Sequence, residues 1–358
     1  MKIFYWAPWI GKVGTIKAVI NSADILEKYS KNSIQTKIID AVGEWKIYEK
    51  KNRYISLSEI KFHKYLPKRG FLNSRLSYLI IFFFSFIPLL NLIKKEKPNF
   101  LVIQLITSLP IFLNYIFKFE TKVILRISGY PKMNFLRTLF WKITSKKIYK
   151  ITFPTKSLYE QFKVLKIFDE KKMYILNDPI INYNEIIKLK NDNNIPNNII
   201  NQNYIVCIGR LTRQKNFSFL IKNFALIKKK YKDYRLIIIG DGELKDKLIS
   251  QIKKFNLYED VILIGHQKNV YKFLKYAKVF VLSSIWEEVG FVMVEAASCN
   301  VNIISSDCKN GPKEFLLNGK GGFLFKNNNS ESLNKAFDKF MNSSEEELFQ
   351  KRLVAKKQ

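Results

Sequence analysis

Two glutamates, Glu287 and Glu295, stand eight residues apart in the carboxyl-terminal half of the chain. The apolar run Val279–Leu282 before them predicts a buried strand, and the apolar spacing after Gly290 predicts a helix. We therefore expect Glu287 in the connecting loop and Glu295 in the first helical turn, with both carboxylates facing one ligand. A helix start offers N–H groups to a diphosphate and a carboxylate accepts hydrogen bonds from sugar hydroxyls, so this spacing indicates a nucleotide-sugar site. A solvated acidic helix start is the alternative for this segment alone.

Two cations, Arg210 and Lys215, follow an apolar run at 204–208 that predicts another strand. Gly209 directly precedes Arg210 and lets the backbone approach a ligand closely. Arginine supplies a fork of donors and lysine a point charge, so the pair can neutralise negative charge that develops on a departing diphosphate. Ordinary surface cations near a helix start are the alternative, because the chain is strongly basic throughout.

The joint order of the motifs is more informative than any one of them. The carboxyl half carries Gly-Arg-Leu-x-x-x-Lys-Asn at 209–216, an apolar run ending in Gly-Asp-Gly at 236–242, Ile-Leu-Ile-Gly at 262–265, Glu-x7-Glu at 287–295 and Gly-Pro-x-Glu at 311–314. This set resembles the retaining glycosyltransferases of family four, and the resemblance covers residues 1–340. It implies the GT-B architecture, an α/β fold of two facing Rossmann-like domains with parallel sheets and a cleft between them.

The resemblance implies roles for the residues that match. Arg210 and Lys215 match the pair that binds the donor diphosphate. Glu287 matches the acid that contacts hydroxyls of the donor sugar, and these three are the expected catalytic residues. Glu295 matches the acid that holds the ribose. The other implied donor-binding positions lie in glycine turns, at a strand end and at a helix start: Gly14, Gly209, Gly265, His266, Gly290, Phe291 and Val292.

The chain departs from the family pattern in two places. The family usually has glycine directly after the first acid, whereas Glu288 and Val289 follow it here. Glu288 either alters the choice of sugar or simply points to solvent. Many relatives also carry a histidine near the reacting sugar, and the corresponding loop at 126–130 contains none.

On the acceptor side the resemblance implies Gly11, in the loop after the first strand, and Arg126 or Ser128 along the wall of the sugar site. Asn177-Asp178-Pro179 matches a turn that the family places at the cleft. A plain Asp-Pro turn is the alternative interpretation of that segment.

Composition limits the cofactors and the compartment. The three cysteines are far apart and only two histidines occur, so neither a metal site nor another cofactor is expected. The Asp-x-Asp metal motif of the other major glycosyltransferase architecture is absent, and metal-independent transfer follows as a prediction. The odd cysteine count and an amino terminus without a secretory signal indicate a reducing cytoplasm.

The chain has 358 residues, 47% of them hydrophobic, which is enough for two domains with separate cores. Apolar runs alternate with helical spacing, which predicts a parallel sheet in each half. A connector rich in Asn and Ile begins near residue 182, so we place an acceptor-side domain at 1–181 and a donor-binding domain at 182–358. The expected strands are 2–6, 35–39, 100–103, 121–127, 151–154, 204–208, 235–239, 261–264, 279–282 and 301–305.

A long apolar segment at 76–93 lies inside the amino-terminal half. Its length just suffices to span a bilayer, but Pro88 and the position inside an α/β domain favour an interfacial helix. Residues 51–150 contain nineteen Lys or Arg and three Asp or Glu, and the chain has a formal net charge of +31. We therefore expect residues 64–97 to contact an anionic membrane surface. A buried core helix is the alternative, and nucleic acid is a rival polyanion that no recognisable motif supports.

Together with the resemblance, these features predict a metal-independent, retaining glycosyltransferase peripherally bound at the inner face of the cell membrane. The predicted reaction moves a hexose or N-acetylhexosamine from a nucleotide-sugar, with a UDP-sugar favoured, to a glycan or lipid-linked acceptor in bacterial surface polysaccharide or lipopolysaccharide biosynthesis. A GT-B nucleotide-sugar epimerase or hydrolase is one alternative, and a non-catalytic polyanion-binding protein is another. The helical stretch after Ser330 is short for the family's last crossing helix, so either that helix is abbreviated or the reading frame is incomplete.

Overall fold

The computed structural model describes residues 1–10, 14–46, 53–67, 71–192, 194–196, 199 and 202–358. The chain divides into two compact units, Met1–Ile180 and Ile181–Gln358. Each unit is a parallel sheet covered by helices, so the α/β fold class expected from the alternating pattern is confirmed.

The amino-terminal unit contains a seven-stranded sheet within the described residues, in the order β3-β2-β1-β4-β5-β6-β7. All of its pairings are parallel. The strands are β1 Lys2–Trp6, β2 Gln35–Asp40, β3 Tyr54–Ser56, β4 Phe100–Ile103, β5 Lys122–Arg126, β6 Lys150–Phe153 and β7 Met173–Ile175. The helices are α1 Gly14–Tyr29, α2 Phe71–Glu96, α3 Ser108–Phe117, α4 Phe135–Thr144 and α5 Lys156–Leu165.

The alternation of β1 shows how this sheet is covered. Ile3 and Tyr5 point to the face where α1 packs, in one apolar cluster. Phe4 and Trp6 point to the opposite face, in a cluster that contains buried residues of α2, α3, α4 and α5. Because parallel crossovers are right-handed, the reversal of strand order at β1 places α1 on one face and the later helices on the other.

The carboxyl-terminal unit contains a six-stranded parallel sheet within the described residues, in the order β10-β9-β8-β11-β12-β13. The strands are β8 Asn203–Ile208, β9 Tyr234–Ile239, β10 Val261–Gly265, β11 Val279–Leu282, β12 Asn302–Ser306 and β13 Phe323–Phe325. The helices are α6 Tyr183–Lys190, α7 Phe217–Lys230, α8 Lys245–Lys254, α9 Tyr271–Tyr276, α10 Phe291–Ser298, α11 Gly311–Phe315, α12 Ser330–Asn342 and α13 Glu345–Lys356.

The ten strands expected from the sequence are all present, with ends that differ by at most one residue. The sequence did not predict β3, β7 and β13. Each has only three residues and lies at the edge of its sheet, so its apolar pattern is too short to distinguish from a loop.

The apolar segment expected at 76–93 is part of α2, which continues through Pro88. Its buried residues recur every fourth position and lie against the sheet: Ser77, Ile81, Ser85, Leu89 and Ile93. The helix is long and apolar enough to cross a membrane by length and composition, but only 28% of its most apolar window is buried. The alternative of a fully buried core helix is therefore wrong, because α2 presents one stripe to the core and the rest to the outside.

A pair of acidic side chains is buried where β2 ends. Both oxygens of Glu44 accept backbone hydrogen bonds, from the Ala41 N–H at 3.1 Å and the Val42 N–H at 2.8 Å. Asp40 accepts a hydrogen bond from Lys61 Nζ at 2.9 Å. Burial and the neighbouring Asp40 charge raise the pKa of Glu44 from 4.5 to about 8. Burial alone would raise the pKa of Asp40, but hydrogen bonds from Glu44 and Lys61 outweigh it and hold that pKa below its ordinary value.

We expect Glu44 to make the folded protein less stable as pH rises from about 5 to 8. Over this range the unfolded chain has already released the Glu44 proton, whereas the folded chain retains it until about pH 8. Replacing Glu44→Gln should flatten this fall in the free energy of unfolding, measured by urea denaturation at several pH values. The exposed Glu59→Gln is the control, and parallel pH curves for wild type and Glu44→Gln would contradict the prediction.

Candidate functional site

The carboxyl-terminal sheet reverses its strand order at β8, which pairs with β9 on one side and with β11 on the other. In open parallel sheets, ligands bind beyond the carboxyl ends of the strands at such a reversal. The loops that leave β8 and β11 carry Arg210, Lys215 and Glu287. The topology therefore places the three expected catalytic residues at the carboxyl ends of these strands, where a ligand is expected to bind.

The backbone after β8 is held against the backbone after β9. The Gly209 N–H donates to the Ile239 carbonyl at 2.9 Å, and the Leu211 N–H donates to the Asp241 carbonyl at 2.9 Å. Gly240 lies so close that a Cβ there would be 1.8 Å from the Gly209 oxygen. This contact gives Gly-Asp-Gly at 240–242 an architectural role, since it fixes the backbone that carries Arg210.

The ion pair between Lys215 and Glu287 is the central contact of the site. The lysine side chain is 13% exposed and the glutamate side chain 8% exposed. Ser284 Oγ donates a second hydrogen bond to the same carboxylate oxygen, Glu287 Oε1, at 2.6 Å. Because the pair is largely shielded from water, the two charges hold each other in place at the end of the sheet. By contrast, Arg210 is exposed and its side chain makes no hydrogen bond or ion pair with the described part of the chain.

Backbone and amide contacts join the two loops. The Ile285 N–H donates to the Gln214 carbonyl at 2.8 Å, and Ser283 Oγ donates to the Lys215 carbonyl at 2.8 Å. From the other side, Asn327 Nδ2 donates to the Ile285 carbonyl at 2.8 Å. The segment before Glu287 is therefore fixed by neighbours on both sides, which orients its carboxylate before any ligand binds.

Helix α10 begins beside these loops. Gly290 adopts the left-handed φ of 72° that starts the helix, and Phe291 and Val292 form its first turn, where backbone N–H groups have no intrahelical acceptor. Glu295 is the fifth helical residue, so it lies in the second turn and the expectation of the first turn is wrong. The helix begins directly after Gly290, as its apolar spacing predicted, and its fifth residue already lies beyond one turn of about 3.6 residues.

Tyr271 donates its hydroxyl hydrogen bond to Glu295 Oε1 at 3.1 Å. Burial and the adjacent Glu295 charge raise the pKa of Tyr271, so the hydroxyl remains a neutral donor at physiological pH. No sequence motif connects Tyr271 with Glu295, 24 residues later, so the spacing of residues did not predict this contact. The contact of Ser284 with Glu287 was not predicted either, although the two residues are only three positions apart.

Glu288, the departure from the family pattern, is half-buried and accepts a hydrogen bond from Asn310 Nδ2 at 3.0 Å. The interpretation that its carboxylate simply points to solvent is therefore wrong. The bond ties the loop after β11 to the loop after β12, because Asn310 lies directly before α11.

The remaining donor-side predictions lie on other elements. Gly265 ends β10, the edge strand beyond β9, and His266 follows it with an exposed side chain. Gly14 is the first residue of α1 in the amino-terminal unit and is exposed. Gly11 lies outside the described residues.

Arg126 is 4% exposed in the interior of the amino-terminal unit, where the analysis had expected it along a sugar-binding wall. Its Nε donates to Asp178 Oδ1 at 2.8 Å, and its Nη2 donates to the Leu176 carbonyl at 2.6 Å. Asp178 is thus the partner of a buried guanidinium and not a plain turn residue; burial raises its pKa, and Arg126 partly offsets that rise. Ser128 is half-buried two residues farther along.

The comparisons with known proteins cover the part of the chain that carries this site. A family model described as glycosyl transferases group 1 matches residues 190–355. A glycosyltransferase of Methanocaldococcus jannaschii is 38% identical over 252 residues, which are 64% of this chain and 60% of that protein. The Campylobacter jejuni N-acetylgalactosamine-N,N'-diacetylbacillosaminyl-diphospho-undecaprenol 4-alpha-N-acetylgalactosaminyltransferase is 34% identical over 130 residues, 36% of this chain and 35% of that protein. The chain thus spans 60% or less of the length of these relatives.

Solved structures of the same fold extend over nearly the whole chain. A glycosyltransferase from Rickettsia africae has a TM-score of 0.74 at 16% identity and covers 99% of this chain and 92% of that one. Sucrose-phosphate synthase from Thermosynechococcus elongatus has a TM-score of 0.75 at 12% identity and covers 99% and 93%. These structures confirm the GT-B fold class expected from the sequence, and the family model and the relatives confirm the resemblance to glycosyltransferases. The roles of individual residues, the retaining stereochemistry and the independence from metal stay predictions.

The close approach of Gly240 to Gly209 gives a stability prediction. Gly240→Ala should lower the free energy of unfolding by about 2 kcal/mol or more, because the new Cβ meets a backbone oxygen that cannot rotate away. Gly265→Ala is the matched control: its φ is 72°, but a Cβ there has no atom within 4 Å, so only backbone strain of about 1 kcal/mol is expected. Urea denaturation of both variants tests this, and equal losses would contradict it.

Proposed function

We propose, from the match of residues 190–355 to the family model described as glycosyl transferases group 1, that this chain is a retaining glycosyltransferase. It moves a hexose or N-acetylhexosamine from a nucleotide-sugar to a glycan or lipid-linked acceptor. The observation that carries the proposal is the shielded Lys215–Glu287 ion pair at the reversal of strand order, beside the amide-bearing start of α10. This arrangement combines cations for a diphosphate with a carboxylate for sugar hydroxyls.

The proposed diphosphate site uses one rigid cation and one mobile cation. Lys215 has three N–H donors, so it can bind a phosphate oxygen while it retains its bond to Glu287. Arg210, exposed on a fixed backbone, can close on the diphosphate as a fork of donors. The first-turn N–H groups of Phe291 and Val292 add partial positive charge from the helix start.

Glu287 would then hold the donor sugar. Both hydrogen bonds that its side chain accepts from the described residues go to Oε1, from Lys215 and Ser284. The other oxygen, Oε2, is therefore the proposed acceptor for a hydroxyl of the sugar. Since Oε1 is fixed by two donors, the orientation of Oε2 is set before the donor binds, which lowers the entropy cost of placing the sugar.

Glu295 is the proposed ribose ligand, and Tyr271 is a positioning residue for it. The tyrosine hydroxyl holds Oε1 of the carboxylate, and Glu295 is only half-buried, so the carboxylate remains accessible at the sheet edge. Carboxylate oxygens accept hydrogen bonds from two adjacent ribose hydroxyls readily.

In the proposed reaction, the bond between the sugar carbon and the diphosphate oxygen breaks while the acceptor oxygen bonds to the same face of that carbon. The acceptor proton passes to the departing phosphate oxygen, so the step needs no external base. Lys215 and Arg210 stabilise the negative charge that grows on the diphosphate, which is the role a metal ion has in other transferases. The proposal is therefore that transfer proceeds without metal.

The acceptor and the compartment are proposed from the relatives. The Campylobacter jejuni relative is named for a diphospho-undecaprenol acceptor, and a Staphylococcus aureus relative, 28% identical over 182 residues, is named poly(ribitol-phosphate) alpha-N-acetylglucosaminyltransferase. We propose a glycan or lipid-linked acceptor of bacterial surface polysaccharide synthesis, reached from the cytoplasmic side of the membrane. Because both names specify an N-acetylhexosamine, which cells commonly carry on UDP, a UDP-sugar is the favoured donor.

Nucleotide binding measured by calorimetry without metal is the first test. Lys215→Met should weaken UDP or UDP-sugar binding at least ten-fold, because it removes the cation and leaves Glu287 with a single donor. The control Lys222→Met removes an exposed lysine from α7 and should leave binding unchanged. Equal binding with magnesium and with EDTA would support metal independence. No selective binding of any nucleotide, together with tight binding of DNA, would favour the polyanion-binding alternative.

The positioning role of Tyr271 gives a kinetic prediction. Tyr271→Phe should raise KM for the donor up to about ten-fold with little change in kcat, since one hydrogen bond of about 1 kcal/mol to Glu295 is lost. Tyr5→Phe is the matched control, because Tyr5 is also buried and its hydroxyl is hydrogen-bonded to Ser22 Oγ at 2.8 Å within the amino-terminal unit. If both variants raise KM equally, Tyr271 acts only through stability. The anomeric configuration of the product, read by NMR in the same assay, tests retention.

A further inference from the structure

The outer side of three helices in the amino-terminal unit exposes large apolar side chains. On α2 these side chains recur at helical spacing along one stripe, and they include Leu72 at 80% exposure, Phe83 at 70% and Ile87 at 64%. On α4, Phe135 is 77% exposed and Leu136 is 74% exposed. So many large apolar residues on one side of a domain indicate a surface that binds a partner.

Helix α3 makes this surface continuous. It contacts both α2 and α4, and the rings of Phe86 on α2 and Phe112 on α3 have centroids 6.2 Å apart. Ile116 on α3 is 51% exposed. The three helices cover the same face of the sheet, because their buried residues belong to one apolar cluster. We call the exposed outer sides of α2, α3 and α4 the apolar face.

The buried stripe of α2 determines how this surface can meet a bilayer. Ile81, Leu89 and Ile93 are between 0 and 2% exposed and pack on the sheet. A helix that crossed a membrane would withdraw these residues and expose the sheet beneath them, with the loss of their apolar burial. Helix α2 therefore stays on the sheet, and only its outer stripe is available to lipid.

Positive charge borders the apolar face where α2 ends. Lys94 and Lys95 end α2, and Lys94 Nζ lies 5.0 Å from the centroid of the Phe117 ring on α3. Beyond them, Lys97 and Lys122 line a cavity that also contains Phe100 and Phe119. Lysine side chains at the border of an apolar surface match the phosphate groups of lipids while their neighbours enter the acyl region.

The charge also argues against other occupants. A second copy of the chain would bring two strongly basic borders together, and each chain carries a formal net charge of +31. A nucleic acid would satisfy the lysines but not the exposed Phe83, Ile87 and Phe135. An anionic bilayer alone offers both an acyl interior and a negative surface.

We propose that the apolar face of α2, α3 and α4 seats the amino-terminal unit in the interfacial region of an anionic lipid bilayer, with no helix crossing it. The side chains Leu72, Phe83 and Ile87 enter the acyl boundary together with Phe135 and Leu136. Lys94 and Lys95 bind headgroup phosphates. This extends the surface expected from the sequence, residues 64–97, to α3 and α4; residues 68–70 lie outside the described residues. The inference does not depend on sugar transfer, since it concerns lipid binding alone.

Vesicle sedimentation tests the surface. Wild-type protein should bind vesicles of phosphatidylcholine with phosphatidylglycerol at least ten-fold more tightly than vesicles of phosphatidylcholine alone. Phe83→Ser with Ile87→Ser should weaken binding to the anionic vesicles at least ten-fold. The matched control, Leu226→Ser with Tyr258→Ser, removes side chains that are 52% and 59% exposed in the other unit and should bind as wild type does. Equal loss in both double variants would overturn the proposal.

The charge component has its own pair of variants. Lys94→Glu with Lys95→Glu should weaken binding to anionic vesicles and reduce its salt dependence, whereas Lys222→Glu with Lys229→Glu on α7 should do so much less. Equal losses of binding in the two double variants would show that net charge alone causes the binding, and this would overturn the proposal. A dimer in sedimentation velocity without lipid that Phe83→Ser disperses would assign the apolar face to a second copy and would likewise overturn it.

A labelled cysteine keeps the proposal testable if the serine variants fold poorly. The native cysteines, Cys207, Cys299 and Cys308, are all buried, so a new surface thiol can be labelled selectively. A polarity-sensitive fluorophore at Phe84→Cys should shift to shorter wavelength on anionic vesicles, and the same label at Leu226→Cys should not. No shift at position 84 while the protein sediments with vesicles would overturn the proposed orientation. UDP binding by the same labelled proteins shows that the fold and the donor site are intact, so failure here is distinct from failure of the transferase function.

Discussion

Parallel pairing of β8 with both β9 and β11 is the constraint on which the candidate site depends. Parallel strands place all their carboxyl ends at one edge, and right-handed crossovers send the chain to opposite sides of β8 before and after the reversal. Lys215 and Glu287 are 72 residues apart in sequence, yet they meet at this edge, and Arg210 lies in the same loop as Lys215. The contact of Gly240 with Gly209 then fixes the first of the two loops to the neighbouring strand end.

The shielded ion pair between Lys215 and Glu287 has a cost and a use. Taking both charges from water costs free energy that their attraction and the Ser284 hydrogen bond only offset, so the pair is a weak source of stability. Its use in the proposed reaction is orientation, since a fixed lysine and a fixed carboxylate need not reorganise when a diphosphate sugar arrives. Tyr271 does the same for Glu295. In both cases a second side chain restrains the group that would contact the donor.

The amino-terminal unit is notable for its exposed apolar residues and not for restrained polar side chains. Its sheet buries a core on both faces, but the helices over one face keep large apolar residues outside among an excess of lysine and arginine. Helix α2 has both features because its two stripes face different surroundings: Ile81 and Leu89 lie in the core, and Phe83 and Ile87 are exposed. The same unit buries Asp40 and Glu44 side by side, where burial and the Asp40 charge keep the Glu44 carboxyl protonated and the two backbone hydrogen bonds that it accepts only partly offset this preference.

The sequence by itself determined the fold class, ten of the strands and the order of the glycine, cation and acid motifs, because apolar periodicity and residue spacing are local properties of a chain. It did not locate β3, β7 and β13, whose three residues carry too little pattern, and it placed Glu295 one helical turn too early. It assigned Arg126 to a binding wall, and only the tertiary structure showed the guanidinium buried against Asp178. The tertiary structure also decided that Tyr271 holds Glu295 and that Asn310 holds Glu288, since those partners come from other elements. Local pattern fixes which residues are present at a strand end, but which side chains meet there depends on how distant strands are ordered in the sheet.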